Sequence, residues 1–386
     1  MSLNACVYRD LRGLDESLVA FWKDQQWHPY GDMDLFAREY AEGHEQWNPH
    51  ILAIRDNKEI ISCVIGKILK VPLKLQFGYK VVAGPALTTL VCHRSGFLGR
   101  WHHPLCEFVQ EQWRDILASG LIDALQVRMI PLDSPMYTIA STAVPFPRRS
   151  HFEGVQEYWV LNQLHSFEGF LGSHRTVKRN YKYCVNRLNR LFGDKLEITC
   201  CRNRDEMDLM LEDSEEVSRK TWQRRLGGVS ILDDKYRSRY EFYVNKGWCR
   251  GYILYIEKTP VAFLHGIIYK GTFYAENMGY DPTYGNLGFG TYLLLHVIKK
   301  LCRDGNITAL DFNAGNSEAK RPYCNYSFKV SDIFLFAPGM RLWPAIFLRL
   351  AARGSHELAK TVSHRWGFYR SIQKQWRHER PGFFSR

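Results

Sequence analysis

The feature that most constrains this chain is that it repeats itself. Residues 51–54 read Ile-Leu-Ala-Ile, and residues 253–256 read Ile-Leu-Tyr-Ile. A short polar turn follows each, Arg55-Asp56-Asn57-Lys58-Glu59 in one place and Glu257-Lys258-Thr259-Pro260 in the other. Each turn leads into a second apolar run, residues 60–68 and 261–269. Apolar runs bounded by polar turns predict hairpins. Further on, Gly120-Leu-Ile-Asp-Ala-Leu-Gln-Val127 aligns with Gly305-Asn-Ile-Thr-Ala-Leu-Asp-Phe312. Each of these strand-like words follows a helical stretch. Leu105, Phe108, Val109, Trp113 and Ile116 recur at three- and four-residue spacing, as do Leu293, Leu294, Val297, Ile298 and Leu301. Any two α/β segments share some words, but Gly-x-Ile-x-Ala-Leu and Ile-Leu-x-Ile together favour one unit built twice.

The repeat divides the chain. A first domain is expected over 1–165, ending near the strand-like Tyr158-Trp159-Val160-Leu161, and a second over 166–338. The second opens on a helical region, 167–192, and a strand, 196–201. Helices over 206–224 and 233–245 follow, separated by Gly227-Gly228. Then come the hairpin 251–269, a strand 272–279, a helix after Gly290, the strand 309–312 and a last strand, 327–336. The expected class is α/β, of the α+β kind. Each domain is a mixed, mostly antiparallel sheet flanked by helices, and residues 339–386 form a basic helical tail.

Several functional classes are excluded early. The ten cysteines include no Cys-x-x-Cys pair, so neither a zinc framework nor a compact disulfide scaffold is expected. The first residues mix Arg9, Asp10, Arg12, Asp15 and Glu16 with apolar ones, unlike a signal peptide. No run reaches the ~18 apolar residues that span a bilayer. A cytoplasmic protein is expected, either free or peripheral at the inner membrane face. The formal net charge is +12, and residues 341–386 alone carry ten Lys/Arg against two Asp/Glu. A second basic cluster is Arg175, Lys178, Arg179, Lys182, Arg187 and Arg190. Such clusters attract phosphates, whether on a nucleotide cofactor, a nucleic acid or a lipid.

The chemistry-bearing segment is Gly285-Asn286-Leu287-Gly288-Phe289-Gly290-Thr291, between an expected strand and an expected helix. Glycines let the backbone turn sharply and approach a ligand closely. Open N–H groups at a helix start favour an anion such as a pyrophosphate. The same glycines also suit a plain tight connection. No Gly-Lys-Ser/Thr of a P-loop is present, and a dinucleotide fold would place its glycines after the first strand. Around the loop lie Met278-Gly-Tyr-Asp-Pro282, Asp311-Phe312-Asn313-Ala314-Gly315 and Lys320, with Arg179-Asn180 and Trp222 upstream. This combination resembles the FemAB-like branch of the GNAT superfamily, in particular acyltransferase domains associated with bacterial polysaccharide or cellulose biosynthesis. The resemblance covers about residues 167–337 and implies two tandem GNAT-like halves. It implies acetyl-CoA or a longer acyl-CoA as cosubstrate, no metal, and a cofactor loop at Leu287, Gly288, Phe289, Gly290 and Thr291. Gly285 stands where the family usually has Gln or Arg, so a long phosphate-touching side chain is lost there. Gly96-Phe-Leu-Gly99 in the first half is spaced differently and is read as no cofactor loop.

Acyl transfer needs placed reactants and a stabilised oxyanion, and a general base adds roughly 10²–10⁴-fold. Asp311 either orients the acceptor or takes its proton, or is a structural carboxylate. Glu276, mid-strand, is the second candidate. Lys320 and Arg321 either hold an anion or lie in a solvated loop. His265 sits in an apolar strand and is expected in the core. In the tail, Trp343, Ile346, Phe347 and Leu350 form an apolar stripe. Trp366, Phe368, Tyr369, Trp376, Phe383 and Phe384 follow among basic residues. Such a segment either lies on an anionic membrane or packs back on the domain. The leading expectation is an acyl-CoA N- or O-acyltransferase acting on a small-molecule acceptor or a sugar- or lipid-linked one, in surface polysaccharide biosynthesis. Its rivals are a Fem-type transferase using aminoacyl-tRNA, the one reading with a nucleic acid partner, and an inactive membrane-surface adaptor of a polysaccharide synthase.

Overall fold

The computed structural model describes residues 3–43, 46–77, 80–221, 224, 230–284, 287–315 and 319–365. The chain forms two compact units. The first takes the chain up to Val155 and again from Ser331 onward; the second is the continuous stretch Gln156–Val330.

The first unit contains β1 (Leu3–Tyr8), α1 (Glu16–Gln25), α2 (Met33–Glu42), β2 (Trp47–Asp56), β3 (Glu59–Phe77), β4 (Lys80–Gly99), α3 (His103–Ala118), β5 (Ala124–Pro131) and α4 (Pro135–Thr142). Its strands lie in the order β1-β2-β3-β4-β5, antiparallel except for the parallel pair β4-β5. Aspartates start both early helices. The Asp15 carboxylate accepts from Leu18 N, and Asp32 from Asp34 N and Leu35 N. Each cap satisfies donors that the first helical turn leaves open. Leu105, Val109, Trp113 and Ile116, the periodic residues of α3, are buried in one cluster with Leu90, Leu125 and Val127. A second cluster gathers Leu18, Trp22, Phe36, Trp47 and Ile51.

The strand β6 (Arg149–Asn162) carries the chain into the second unit. There follow α5 (Phe167–Ser173), α6 (Arg175–Phe192), β7 (Leu196–Cys201), α7 (Arg204–Lys220), α8 (Asp234–Asn245), β8 (Cys249–Ile256), β9 (Thr259–Tyr269), β10 (Thr272–Tyr280), α9 (Phe289–Asp304), β11 (Ala309–Ala314) and β12 (Tyr326–Phe336). The strand order is β6-β11-β10-β9-β8-β7, again antiparallel save for one parallel pair, β10-β11. Leu293, Leu294, Val297, Ile298 and Leu301 of α9 are buried with Tyr252, Leu254, Phe273 and Leu310. Burying one such aliphatic side chain stabilises by roughly 1.5–3 kcal/mol.

Each unit thus runs strand, two helices, three antiparallel strands, helix, parallel strand. The repeated words occupy matching places: Ala124-Leu125 pairs with Thr89-Leu90, and Ala309-Leu310 with Thr272-Phe273. The duplicated hairpins are β2-β3 and β8-β9. In the first half β3 continues for 19 residues and β4 for 20, well beyond the expected 60–68. The helices expected over 206–224 and 233–245 are α7 and α8; Trp222 and Gly227-Gly228 lie outside the described residues.

The 11-residue strand β12 is divided between the units, residues 326–330 belonging to the second and 331–336 to the first, whose core Ile333, Phe334, Leu335 and Phe336 join. Next comes α10 (Trp343–Arg365). Leu342, Ala345, Ile346 and Ala352 are buried in that core, and the Arg349 guanidinium lies 4.6 Å from the centroid of the Phe334 ring. The stripe read from the sequence therefore divides. Ile346 and Leu350 face inward, whereas Phe347, stacked on Trp343 at 5.3 Å, is exposed together with Met340 and Leu348. The aromatic run from Trp366 to Phe384 lies outside the described residues. Among the described residues no helix is long and apolar enough to cross a membrane.

Candidate functional site

The site begins where two parallel strands part. β10 and β11 pair only at Thr272↔Ala309, Phe273↔Leu310 and Tyr274↔Asp311. Immediately after, β10 shifts register against β9 between Ala275 and Asn277, and Glu276 is the extra residue. A bulge bends a strand and re-aims the side chain it inserts. Beyond it β10 stays paired with β9 as far as Tyr280↔Ala262, while its ladder to β11 has ended. The exit of β10 is pinned. Asp281 donates its N–H to the Val261 carbonyl at 2.8 Å, and its carboxylate accepts from Thr283 N and pairs with Lys220 Nζ at 3.0 Å. Burial opposes the charge on Asp281, but the Thr283 hydrogen bonds and Lys220 hold its carboxyl below the ordinary range.

The chain then turns into α9 at Gly288, whose φ of +82° and ψ of 29° lie in the left-handed region. A side chain there would be strained, and its Cβ would stand 3.0 Å from Cys184 Sγ on α6. At Gly290 a Cβ would stand 3.1 Å from Tyr280 Cδ1. The first intrahelical bond of α9 runs from Tyr292 N to Gly288 O at 2.9 Å, and Gly288 contributes no side-chain cap. The N–H groups of Phe289, Gly290 and Thr291 thus belong to the first turn, which a helix leaves without partners of its own. With the helix dipole behind them they suit an anion. The five residues expected to bind cofactor divide. Leu287 and Phe289 turn their side chains into the core, Phe289 with its ring 5.8 Å from Phe192, and offer only backbone. Gly288, Gly290 and Thr291 form the helix start. Gly285 and Asn286 lie outside the described residues.

α6 places charge beside this helix start. Val177, Cys184 and Leu188 face inward, while Arg175, Lys178, Arg179, Lys182 and Arg190 are exposed. Burial raises the Cys184 thiol's pKa, and the Arg187 guanidinium close by opposes that rise.

The three catalytic candidates fall into two groups. Glu276 is half-buried and is held from α8: its Oε1 accepts from Tyr243 OH at 3.0 Å and its Oε2 from Tyr240 OH at 3.2 Å. Asp311 is buried in mid-strand. Its Oδ2 accepts from Tyr158 OH at 2.8 Å and its Oδ1 from Asn313 N at 2.7 Å. Lys320 reaches back to the same place, donating to the carbonyls of Phe312 (2.6 Å), Asn313 (3.4 Å) and Ala314 (3.5 Å). Burial lowers the pKa of Lys320 and the nearby Asp311 charge opposes this. Asp311 and Lys320 therefore meet as a clamp on the end of β11. The lysine is not in a solvated loop, because three carbonyls occupy its ammonium.

His265 lies in the core as expected. Its Nε2 is 2.7 Å from Ser214 Oγ and its Nδ1 is 3.1 Å from Tyr236 OH. Burial drives its pKa down to about 3, so it is neutral at ordinary pH. Sequence reasoning missed Ser214, Tyr236, Tyr240 and Tyr243. The signal was present, because tyrosines at i, i+4 and i+7 share one face of a helix. Among the described residues no group of three or more His, Cys, Asp or Glu side chains is placed to hold a metal.

Residues 175–321 match the sequence profile of the family described as acetyltransferase (GNAT) domain. Comparison with curated proteins gives no match. Among solved structures, one titled "Crystal structure of FemX" matches 86% of this chain and 98% of its own at 11% identity, with a TM-score of 0.57. A tandem GNAT protein from the clavulanic acid biosynthesis pathway matches 88% of this chain and 99% of its own at 9% identity, TM-score 0.52. A conserved protein of unknown function from Bacteroides thetaiotaomicron matches 86% and 100% at 13% identity, TM-score 0.50. At these identities the structural matches speak for the fold alone: the chain has a mixed α/β fold like that of FemX and of the tandem GNAT protein, and within it residues 175–321 are similar to the acetyltransferase (GNAT) domain profile.

Proposed function

We propose that this protein transfers an acyl group from acyl-CoA to an amine or hydroxyl, at a site in its second unit. The observation that carries the reading is the left-handed Gly288 opening α9 directly beside the parting of β10 and β11, inside the stretch that matches the acetyltransferase profile. The residues suit the cosubstrate. The N–H groups of Phe289, Gly290 and Thr291 hold its pyrophosphate, and a side chain at Gly288 or Gly290 would press on Cys184 Sγ or on the Tyr280 ring and so displace the helix start that presents them. The edge of β10 beyond Tyr274, no longer laddered to β11, offers backbone groups to the extended amide-bearing arm. Glu276 takes the proton of the attacking amine or hydroxyl as the new acyl bond forms and the thiolate of CoA leaves. The acceptor we favour is a sugar- or lipid-linked precursor of a surface polysaccharide, a choice that rests on the family resemblance. A second reading, aminoacyl-tRNA as donor, draws on the exposed basic face of α6.

The test is calorimetric titration of the folded protein with acetyl-CoA, longer acyl-CoAs and a charged tRNA. Gly290→Val is expected to weaken acyl-CoA binding at least tenfold, since one charge-assisted hydrogen bond is worth about 1.5–3 kcal/mol and 1.4 kcal/mol is one decade. Gly172→Ala, at a position with nothing within 4 Å of the added Cβ, is the control. Unchanged affinity in Gly290→Val removes the loop from the site, and tight binding of charged tRNA alone selects the second reading.

A further inference from the structure

The parts of the second unit that the acyl-transfer reading leaves unused are concentrated on α8. Tyr236, Tyr240 and Tyr243 share one face of that helix and pack over β9 and β10. The Tyr240 and Tyr243 side chains are fully buried. A buried phenol needs a partner for its hydroxyl, and both find it on the same carboxylate. Tyr243 OH donates to Glu276 Oε1 and Tyr240 OH to Oε2, one phenol to each oxygen. The donors are themselves braced. The Tyr240 ring stacks on Tyr236 at 4.7 Å with 14° between planes, Tyr236 OH meets His265 Nδ1, and His265 Nε2 meets Ser214 Oγ. The bulge at Ala275/Asn277 is what turns Glu276 toward these hydroxyls.

We infer that Tyr240 and Tyr243 are positioning residues that set both the direction and the basicity of Glu276, with Tyr236, His265 and Ser214 as the brace behind them. The inference rests on the reading of Glu276 as the group that accepts the acceptor's proton. A carboxylate takes hydrogen bonds only as an acceptor when charged, so two phenol donors favour its ionised form and point its remaining lone pairs away from α8. The other titratable groups around the cluster do not change charge where a carboxylate titrates. Burial holds His265 neutral down to about pH 3 and pushes the Tyr236 and Tyr240 phenols upward, and the contact with Cys201, together with burial, does the same for the Cys249 thiol, so all three stay protonated.

Tyrosine to phenylalanine removes the hydroxyl and leaves the ring packing, which separates positioning from simple core filling. The decisive measurement is a 13C NMR pH titration of glutamate carboxyls in the protein without ligand, with Glu276 identified by the signal lost in Glu276→Gln. In Tyr243→Phe the Glu276 midpoint is expected to rise by roughly one to two pH units, the loss of one hydrogen bond to a charged group. Release of CoA thiol from acetyl-CoA over a panel of small amines and amino sugars gives the second readout. Tyr243→Phe should lower kcat about tenfold with KM for acetyl-CoA within twofold, and should do nothing further on a Glu276→Gln background. An unmoved midpoint, or a rate effect that persists in the double variant, overturns the inference while leaving Glu276 in place. A fully active Glu276→Gln instead removes the base on which it rests, and no thiol release by the wild type removes the acyl-transfer reading itself.

Discussion

At the scale of single residues, the environment of each carboxylate separates the two that the sequence offered. Asp311 accepts from Tyr158 OH and Asn313 N and faces the ammonium of Lys320, so its charge is already in use. Asp311→Asn keeps the shape but places an amide N–H where an acceptor is needed, and leaves Lys320 without its counter-charge. We expect a stability loss of about 1–3 kcal/mol by urea denaturation. A variant as stable as the wild type would take Asp311 out of the clamp. The sequence left open whether this residue serves the acceptor or is structural, because Tyr158 is 153 positions away and nothing local announces the bond. Glu276 was legible as a mid-strand second candidate but not in its setting; the bulge that re-aims it is a property of pairing between strands. The glycines were legible in kind but not in consequence. Gly99 has φ +90°, and a Cβ there would stand 2.4 Å from the Ile61 carbonyl oxygen, so it serves the first unit's packing.

At the scale of elements, periodicity was readable where one face of a helix or hairpin meets one core. The α3 and α9 stripes and the duplicated hairpins are of this kind. The long strands β3 and β4 were not readable as single elements, because a proline, Pro72, stands inside β3 and the register against β4 shifts at Pro72/Lys74. The tail helix combines both cases. Ile346 is buried in the first unit's core while its neighbour Phe347 is exposed, so the first turns of α10 belong to the packed unit. Ile346→Ala is expected to cost about 2–5 kcal/mol in denaturant unfolding, against less than about 0.5 kcal/mol for Phe347→Ala. Equal costs would mean that the outward face is covered as well. The exposed Phe347 and Leu348 of α10, with Met340 just before it, leave a peripheral membrane contact of the tail as a proposal.

At the scale of the whole molecule, histidine burial sets a pH dependence. Burial lowers His265 to about 3, and burial, aided by Arg9, lowers His50 to about 4. His50 Nδ1 also has no hydrogen-bond partner among the described residues. In the unfolded chain both take up a proton near pH 6.5. Between that pH and about 4 the unfolded state therefore binds protons that the folded state refuses, and stability falls as pH falls. Each histidine contributes up to about 1.4 kcal/mol per pH unit. Thermal unfolding at pH 7 and pH 5 should show Tm dropping on acidification, and His265→Gln should reduce the drop. An unchanged Tm across that interval would contradict neutral burial. The division of the chain has a different kind of consequence. Residues up to Val155 share their core with Ile333, Phe334, Phe336 and Ile346, whereas Gln156–Val330 is one uninterrupted stretch. A ribosome delivers the amino-terminal segment first but the strand and helix that complete it last. At ~5–20 residues per second the gap is roughly 10–35 s. During that time the nascent chain carries an unfinished apolar surface while the later-made unit is already able to close, so the part that is synthesised first is the part that must wait for a chaperone or for its own carboxyl end.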